Sequence, residues 1–207
     1  MPGLVIGGEQ VAVEGLKIIN YLDEPAIRLD MPNDGNRRPA GSEVRAVILH
    51  TTGGSVHDPV VVRATAPPAA HLARRVISYW QRTERRAGAH LVLDADGTCY
   101  CVADLRDEMT YSASGVNAVT VAIEVVQQAR GDIFQAQLDA LVPLVEKIVE
   151  RFALPRRVCF PYLGVRPGIV EERGVYGHRD VSDNRGAGDP SDAVMRVFAG
   201  REGWESF

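Results

Sequence analysis

The sequence predicts a single α/β domain, a β-sheet with helices on its faces. Short apolar runs of strand length alternate with two segments of helical periodicity, and turn-forming clusters bound each of them. The histidines and carboxylates best suited to chemistry fall at the ends of the apolar runs or in the loops beyond. At 207 residues with 45% hydrophobic content the chain can bury one complete core.

Residues 1–44 lack a long periodic segment, and the stretch from Met31 to Gly41 is dense in turn formers, so this part is expected to form an arm ahead of a domain spanning 45–207. Arg45 to Leu49 is a short apolar strand that Gly53-Gly54 would stop, which puts His50 at a strand's C-terminal end. From Ala69, the residues Leu72, Ala73, Val76, Ile77 and Trp80 recur at helical spacing, with Pro67-Pro68 suited to the helix start. The other face of that helix carries His71, Arg74, Arg75 and Arg82, a pattern that usually marks a charged, solvated face.

His90 to Leu93 and Thr98 to Val102 form a hairpin across the turn Asp94-Ala95-Asp96-Gly97. Val119 to Val126 is the most β-prone run, and the carboxylate of Glu124 inside it needs a reason. Asp132 is placed to cap a long amphipathic helix with an apolar stripe from Phe134 to Phe152, in which Pro143 predicts a kink or a lost hydrogen bond. Gly174 to His178 makes a last short strand, and Ser191 to Ala199 suits a C-terminal helix.

The net charge of −4 and a pI near 5.7 argue against a broad nucleic-acid surface. No apolar stretch approaches the roughly 18 to 20 residues that span a bilayer, and the N-terminus lacks the basic start of a signal peptide. The chain is therefore expected to be cytoplasmic as synthesised, reaching a cell wall only if released or exported by another system. Cys99 and Cys101 stand two apart in a strand, where a local disulfide would be strained, so reduced thiols are expected.

His50, His178 and Asp189 form a candidate metal set, since zinc held by three N/O ligands keeps a position open for water, as hydrolytic sites do. Taken alone, a histidine at a strand end is most often a hydrogen-bonded residue, and the spacing from His178 to Asp189 is no short ligand motif. Residue pattern leaves the choice open.

Four segments, however, resemble in order the zinc-dependent N-acetylmuramoyl-L-alanine amidases, a group related to peptidoglycan recognition proteins and amidase-type phage lysozymes. They are Ile48-Leu49-His50-Thr51-Thr52, Ala89 to Thr98, Asn117 to Glu124, and Gly177-His178-Arg179-Asp180-Val181-Ser182 with Asp189-Pro190. The resemblance implies a mixed sheet flanked by helices with zinc at one end. It also implies His50, His178 and Asp189 as ligands of one zinc ion per chain and Glu124 as the catalytic carboxylate. The reaction implied is hydrolysis of the amide between the lactyl group of N-acetylmuramic acid and L-alanine of the stem peptide, in peptidoglycan or soluble muropeptides.

Three features depart from the family pattern. Active members often carry a lysine two residues before the aspartate ligand, where this chain has Ala187, or a tyrosine before the motif histidine, where it has Ala89. Arg179, Arg185 and His90 are the candidate substitutes, and Thr51 and Arg179, each beside a ligand, are expected to touch substrate. The segment Tyr111-Ser112-Ala113-Ser114 also differs, in a region that lines the substrate groove of relatives, whereas Asn117 is expected to fix a turn. The missing donors keep an alternative in play, a module that binds peptidoglycan or muropeptide with little or no turnover.

Overall fold

The computed structural model describes residues 2–30, 36–52, 61–66, 71–83, 87–128, 132–168, 170–184, 186 and 188–207. The expected helix start at Pro67-Pro68 and the residues Arg85, Arg86, Arg185 and Ala187 lie outside them. The strands are β1 (Leu4–Ile6), β2 (Glu9–Val11), β3 (Ile18–Asn20), β4 (Ala46–Thr51), β5 (Val61–Arg63), β6 (Leu91–Leu93), β7 (Cys99–Cys101), β8 (Thr120–Val125), β9 (Asp132–Phe134), β10 (Arg157–Val158), β11 (Gly174–Gly177) and β12 (Glu205–Ser206). The α-helices are α1 (Leu72–Arg82), α2 (Gln135–Arg151), α3 (His178–Val181) and α4 (Asp192–Met195).

Eight strands form one sheet in the order β12-β10-β11-β4-β8-β6-β7-β3. Every neighbouring pair is parallel except the hairpin β6–β7, so the sheet is mixed. The central strands β4 and β8 are buried along their whole length, which explains why both read as nearly continuous apolar runs rather than alternating ones.

Side-chain alternation divides the core between the two faces. Val47, Leu49, Val121, Ile123, Leu91 and Cys101 pack with the apolar stripe of α2. On the other face Val92 and Tyr100 pack with Ala73 and Ile77 of α1, while Ala46, Ile48 and Tyr176 join Val116 and Val181. His50 and Glu124 follow Ile48 and Ala122 by two and therefore share the α1 face.

The first 30 residues, read from sequence as part of an arm, supply the edge strand β3, which pairs with β7, and bury Leu4, Val5 and Ile6 in the α2-side core. Helix α2 starts at Gln135, later than the expected cap at Asp132, which lies in β9 paired with Arg63 at 3.0 Å. Gln137 secures the helix start instead, its Oε1 accepting the Phe134 N–H at 2.9 Å. The helix runs through Pro143; the carbonyl that loses its donor belongs to Asp139, an exposed residue that water can satisfy. The expected C-terminal helix is shortened to Asp192–Met195, followed by turns to Gly200. Cys99 and Cys101 are free, buried thiols, and burial pushes Cys101 up to about 12.

Candidate metal centre and substrate pocket

Three parallel strands bring the site together at their C-terminal ends. In register, Gly177 of β11 lies beside Leu49 of β4, and His50 lies beside Glu124 of β8. The next residue after β11 is His178, so His178, His50 and Glu124 form a row across adjacent strands. This is the sheet edge at which parallel α/β folds place ligands, because crossover connections leave a crevice there.

His50, His178 and Asp189 are all buried, at 3%, 3% and 0% exposure, and one potential ligand atom from each lies within 4.8 Å of the others. The rings of His50 and His178 have centroids 4.6 Å apart. His178 Nδ1 is 2.9 Å from Asp189 Oδ2, and its Nε2 is buried with no hydrogen-bond partner among the described residues. Burial works to raise the Asp189 carboxyl, but the bond to His178, the charges of both histidines and the Thr51 N–H together hold it below its ordinary value. Two imidazoles and an anionic carboxylate, clustered and almost fully buried, are a donor set that fits a small divalent cation.

Backbone donors fix the carboxylate. The Thr51 N–H donates to Asp189 Oδ1 at 2.8 Å, and the Thr51 hydroxyl donates to the Gly188 carbonyl at 3.4 Å. From the other side, the Arg179 N–H donates to the Asp189 carbonyl at 2.6 Å. Gly177 is required at its position, since a Cβ there would lie 2.8 Å from Pro190 Cδ and 3.2 Å from Asp180 Oδ2. The Asp180 carboxylate accepts the Gly177 N–H at 2.7 Å, which caps the turn that presents His178.

The two histidines of the triad border a pocket of about 780 Å³, a size suited to a drug-sized or larger ligand. Glu124 lies on its lining with His50 and His178, and one wall is the α1 face carrying Arg75, Tyr79 and Trp80. Tyr111, Ser112 and Asn184 complete the rim. A larger cleft of about 1070 Å³, lined by residues that follow β3 and β7, contains no such set of groups. Two of its arginines are engaged: Arg28 pairs with Glu108, and Arg38 donates to the carbonyls of Leu105, Arg106, Ala118 and Thr120.

These observations accord with the sequence match: residues 40–192, more than half of the chain, match the family described as N-acetylmuramoyl-L-alanine amidase (Amidase_2). The chain belongs to that amidase family. Its fold is similar to that of Drosophila peptidoglycan recognition protein SD, with 19% identity over 91% of this chain and 96% of that one and a TM-score of 0.54. It is also similar to the endolysin of the Thermus scotoductus bacteriophage Ph2119, with 14% identity, coverage of 88% and 99%, and a TM-score of 0.51. A third likeness, at 13% identity, coverage of 91% and 98% and a TM-score of 0.52, is to a complex of the peptidoglycan recognition proteins LCa and LCx with tracheal cytotoxin. Identities this low show the fold alone. No curated protein sequence matches the chain.

Within this amidase-family fold, the described residues expected to contact substrate have other surroundings. Thr51 holds Asp189, as described above. Arg179 is 3% exposed, bonds Asp192 at 2.6 Å and lies over the Tyr162 ring at 5.1 Å. His90, just before β6, is buried: its Nδ1 accepts the Ala122 N–H at 3.0 Å, and its Nε2 lies 3.1 Å from the Glu108 carbonyl. Burial first, and then the charge of Arg38, lower His90 to about 3, so the ring is neutral and serves the fold. Arg185 lies outside the described residues. Asn117 fixes a turn as expected, accepting the N–H groups of Ser112 and Ala113 at 3.0 and 2.9 Å.

The pocket wall on α1 was not legible as such. In the sequence Arg75 resembles part of a solvated face, and Val76 and Trp80 resemble ordinary core contacts; only the three-dimensional position of the helix over the strand ends puts these three on the pocket lining.

Proposed function

We propose that the chain is a zinc-dependent N-acetylmuramoyl-L-alanine amidase, acting on the lactyl amide of muramoyl peptides in peptidoglycan or its fragments. The observation that carries this reading is the clustering of His50, His178 and Asp189 within 4.8 Å, with both histidines on a pocket lining that Glu124 shares. His50, His178 and Asp189 would hold the metal. Zinc, when bound by such a set, acidifies a water molecule and polarises a carbonyl.

The residues of the chain supply the rest. Glu124 sits on the strand beside His50, and there it would take a proton from the attacking water and return it to the leaving amine. Water adds to the carbonyl carbon, the C–N bond breaks, and the proton carried by Glu124 leaves with L-alanine's nitrogen. Thr51 and Arg179 keep Asp189 in place, and the α1 wall with Tyr111 would hold the muramoyl peptide against the triad.

A second reading, a muropeptide-binding module with slow turnover, is favoured by one observation. Ala89, at the position where relatives use tyrosine, is fully buried and supplies no donor, and neither His90 nor Arg179 lines the pocket. Losing one oxyanion donor costs roughly 100- to 1000-fold in rate, which slows an amidase without removing its ground-state binding. Mass spectrometry of a muropeptide digest, with and without chelator, separates the readings. Chelator-sensitive release of peptides beginning with L-alanine from intact muramic acid supports the amidase, whereas bound but uncut muropeptide supports the module.

A further inference from the structure

Helix α1 is lightly packed. Of its 11 residues only Ala73 and Ile77 are buried, whereas α2 lies against the sheet with an apolar stripe along its whole length. A helix with so little buried surface draws its position from other ties, and for α1 these lead to residues 20–29, ahead of the family-matched residues 40–192.

That segment is itself fixed to the sheet at both ends. Asn20, fully buried in β3, accepts the N–H groups of Leu22 and Asp23 at 3.0 Å and donates to the Gly3 carbonyl at 3.1 Å. At the far end the Leu29 N–H donates to the Val102 carbonyl at 2.9 Å, and Arg28 pairs with Glu108 and lies over the Tyr21 ring at 4.0 Å.

The fixed segment grips α1 at two levels. Near the helix start, Arg74 donates to both oxygens of Glu24, at 2.5 and 2.9 Å. Two turns on, the Gln81 carboxamide donates to the carbonyls of Ala26 and Arg28, both at 2.9 Å. Between these ties Ile27 and Leu29 pack with Ala73 and Ile77. Leu29 also backs the pocket lining: a Cβ at Gly88 would lie 2.4 Å from Leu29 Cδ2 and 3.6 Å from Trp80 Cε3, and both Gly88 and Trp80 line the pocket. The same helix contributes Val76 and Tyr79 to that lining, so the position of α1 sets the width of the pocket in front of the histidines.

We infer that Glu24 and Gln81 are positioning residues for substrate binding, acting through α1: they lock the helix to the segment 20–29 and so hold the pocket open at the width its ligand needs. Neither residue lines the pocket or touches the metal set. The identity of the ligand as a muramoyl peptide rests on the amidase reading. Because the Glu24–Arg74 pair is half-exposed, it contributes little by itself, and the two ties act together.

The test compares wild type, Glu24→Ala, Gln81→Ala and the double variant, each loaded with zinc. Amide hydrogen exchange across residues 72–82 should quicken about tenfold in the double variant, with β4 and β8 unchanged. A synthetic N-acetylmuramoyl-L-alanyl peptide, titrated calorimetrically, should bind the double variant about three- to tenfold more weakly. KM for its cleavage should rise by the same factor, with kcat within about twofold of wild type and zinc content unchanged. Glu24→Gln, which keeps one acceptor for Arg74, should fall between wild type and Glu24→Ala. Unchanged exchange in α1, faster exchange with unchanged affinity, or a fall in kcat or zinc content at constant KM overturns the inference. If wild type binds the peptide without cutting it, the amidase reading falls and the affinities decide: weaker binding by the double variant upholds the role of Glu24 and Gln81, and equal binding overturns it. A wild type that neither binds nor cuts overturns both.

Discussion

Two buried histidine clusters lie on neighbouring parts of one sheet and have opposite outcomes. At His90, the ring nitrogens meet the Ala122 N–H, the Thr110 hydroxyl and the Glu108 carbonyl, so the protein itself saturates the imidazole. At His178, one nitrogen faces the Asp189 carboxylate and the other, also buried, has no hydrogen-bond partner among the described residues. A buried polar atom left without a partner costs of order 1 to 3 kcal/mol, which a fold tolerates where something else is to be bound. What distinguishes the clusters is thus the availability of a donor atom and an anionic neighbour, rather than burial.

The comparison breaks if the two histidines respond alike. His178→Ala should remove bound zinc and lower hydrolysis by more than about 1000-fold, since the reaction would lose the whole metal contribution; elemental analysis and product assays read both. Glu124→Gln should keep zinc bound and slow hydrolysis by about 100- to 10,000-fold, the range of a lost general base. A variant that cleaves normally would remove Glu124 from the mechanism.

Arg179→Ala sharpens the comparison at the ligand loop. It releases Asp192 and loosens the turn whose N–H holds the Asp189 carbonyl, and zinc affinity should fall about 10- to 100-fold by competition with a chromophoric chelator. Unchanged affinity would mean that Thr51 alone positions the carboxylate.

His90→Asn should have the smallest effect on the metal, leaving zinc stoichiometry unchanged, and should act on stability instead. His90 is held neutral down to about pH 3, whereas in the unfolded chain it takes up a proton below about 6.5. The unfolded state therefore binds the extra proton as pH falls. The stability due to the neutral ring is complete above pH 6.5 and is lost at about 1.4 kcal/mol per pH unit between pH 6.5 and 3. Chemical denaturation of wild type and His90→Asn at pH 7, 6 and 5 should show a shallower slope in the variant; equal slopes would contradict the buried, neutral state.

The same two clusters mark how far residue pattern reaches. The α/β class, the central strands β4 and β8, the hairpin β6–β7 and the bulk of α2 follow from apolar periodicity. The metal set came from motif order, with which the register of β11, β4 and β8 agrees. The placements of His90, Thr51 and Arg179 were not legible, because a polar side chain beside a motif looks the same in sequence whether it faces the ligand or the core. The strand β3 was also missed: Lys17 to Asn20 is too short to show a period, and only pairing with β7 makes it a strand. Helix α4 ends early at Met195, and nothing in the periodicity of the segment after it distinguishes the turns from a helix.

The most direct test of the metal centre is zinc content by elemental analysis of the purified chain after zinc loading and exhaustive dialysis, run for wild type, His178→Ala and His90→Asn. One zinc per chain in wild type and His90→Asn, with none in His178→Ala, is the predicted result. Absence of zinc from the wild-type chain, or full retention by His178→Ala, would contradict the assignment of His50, His178 and Asp189 as the site.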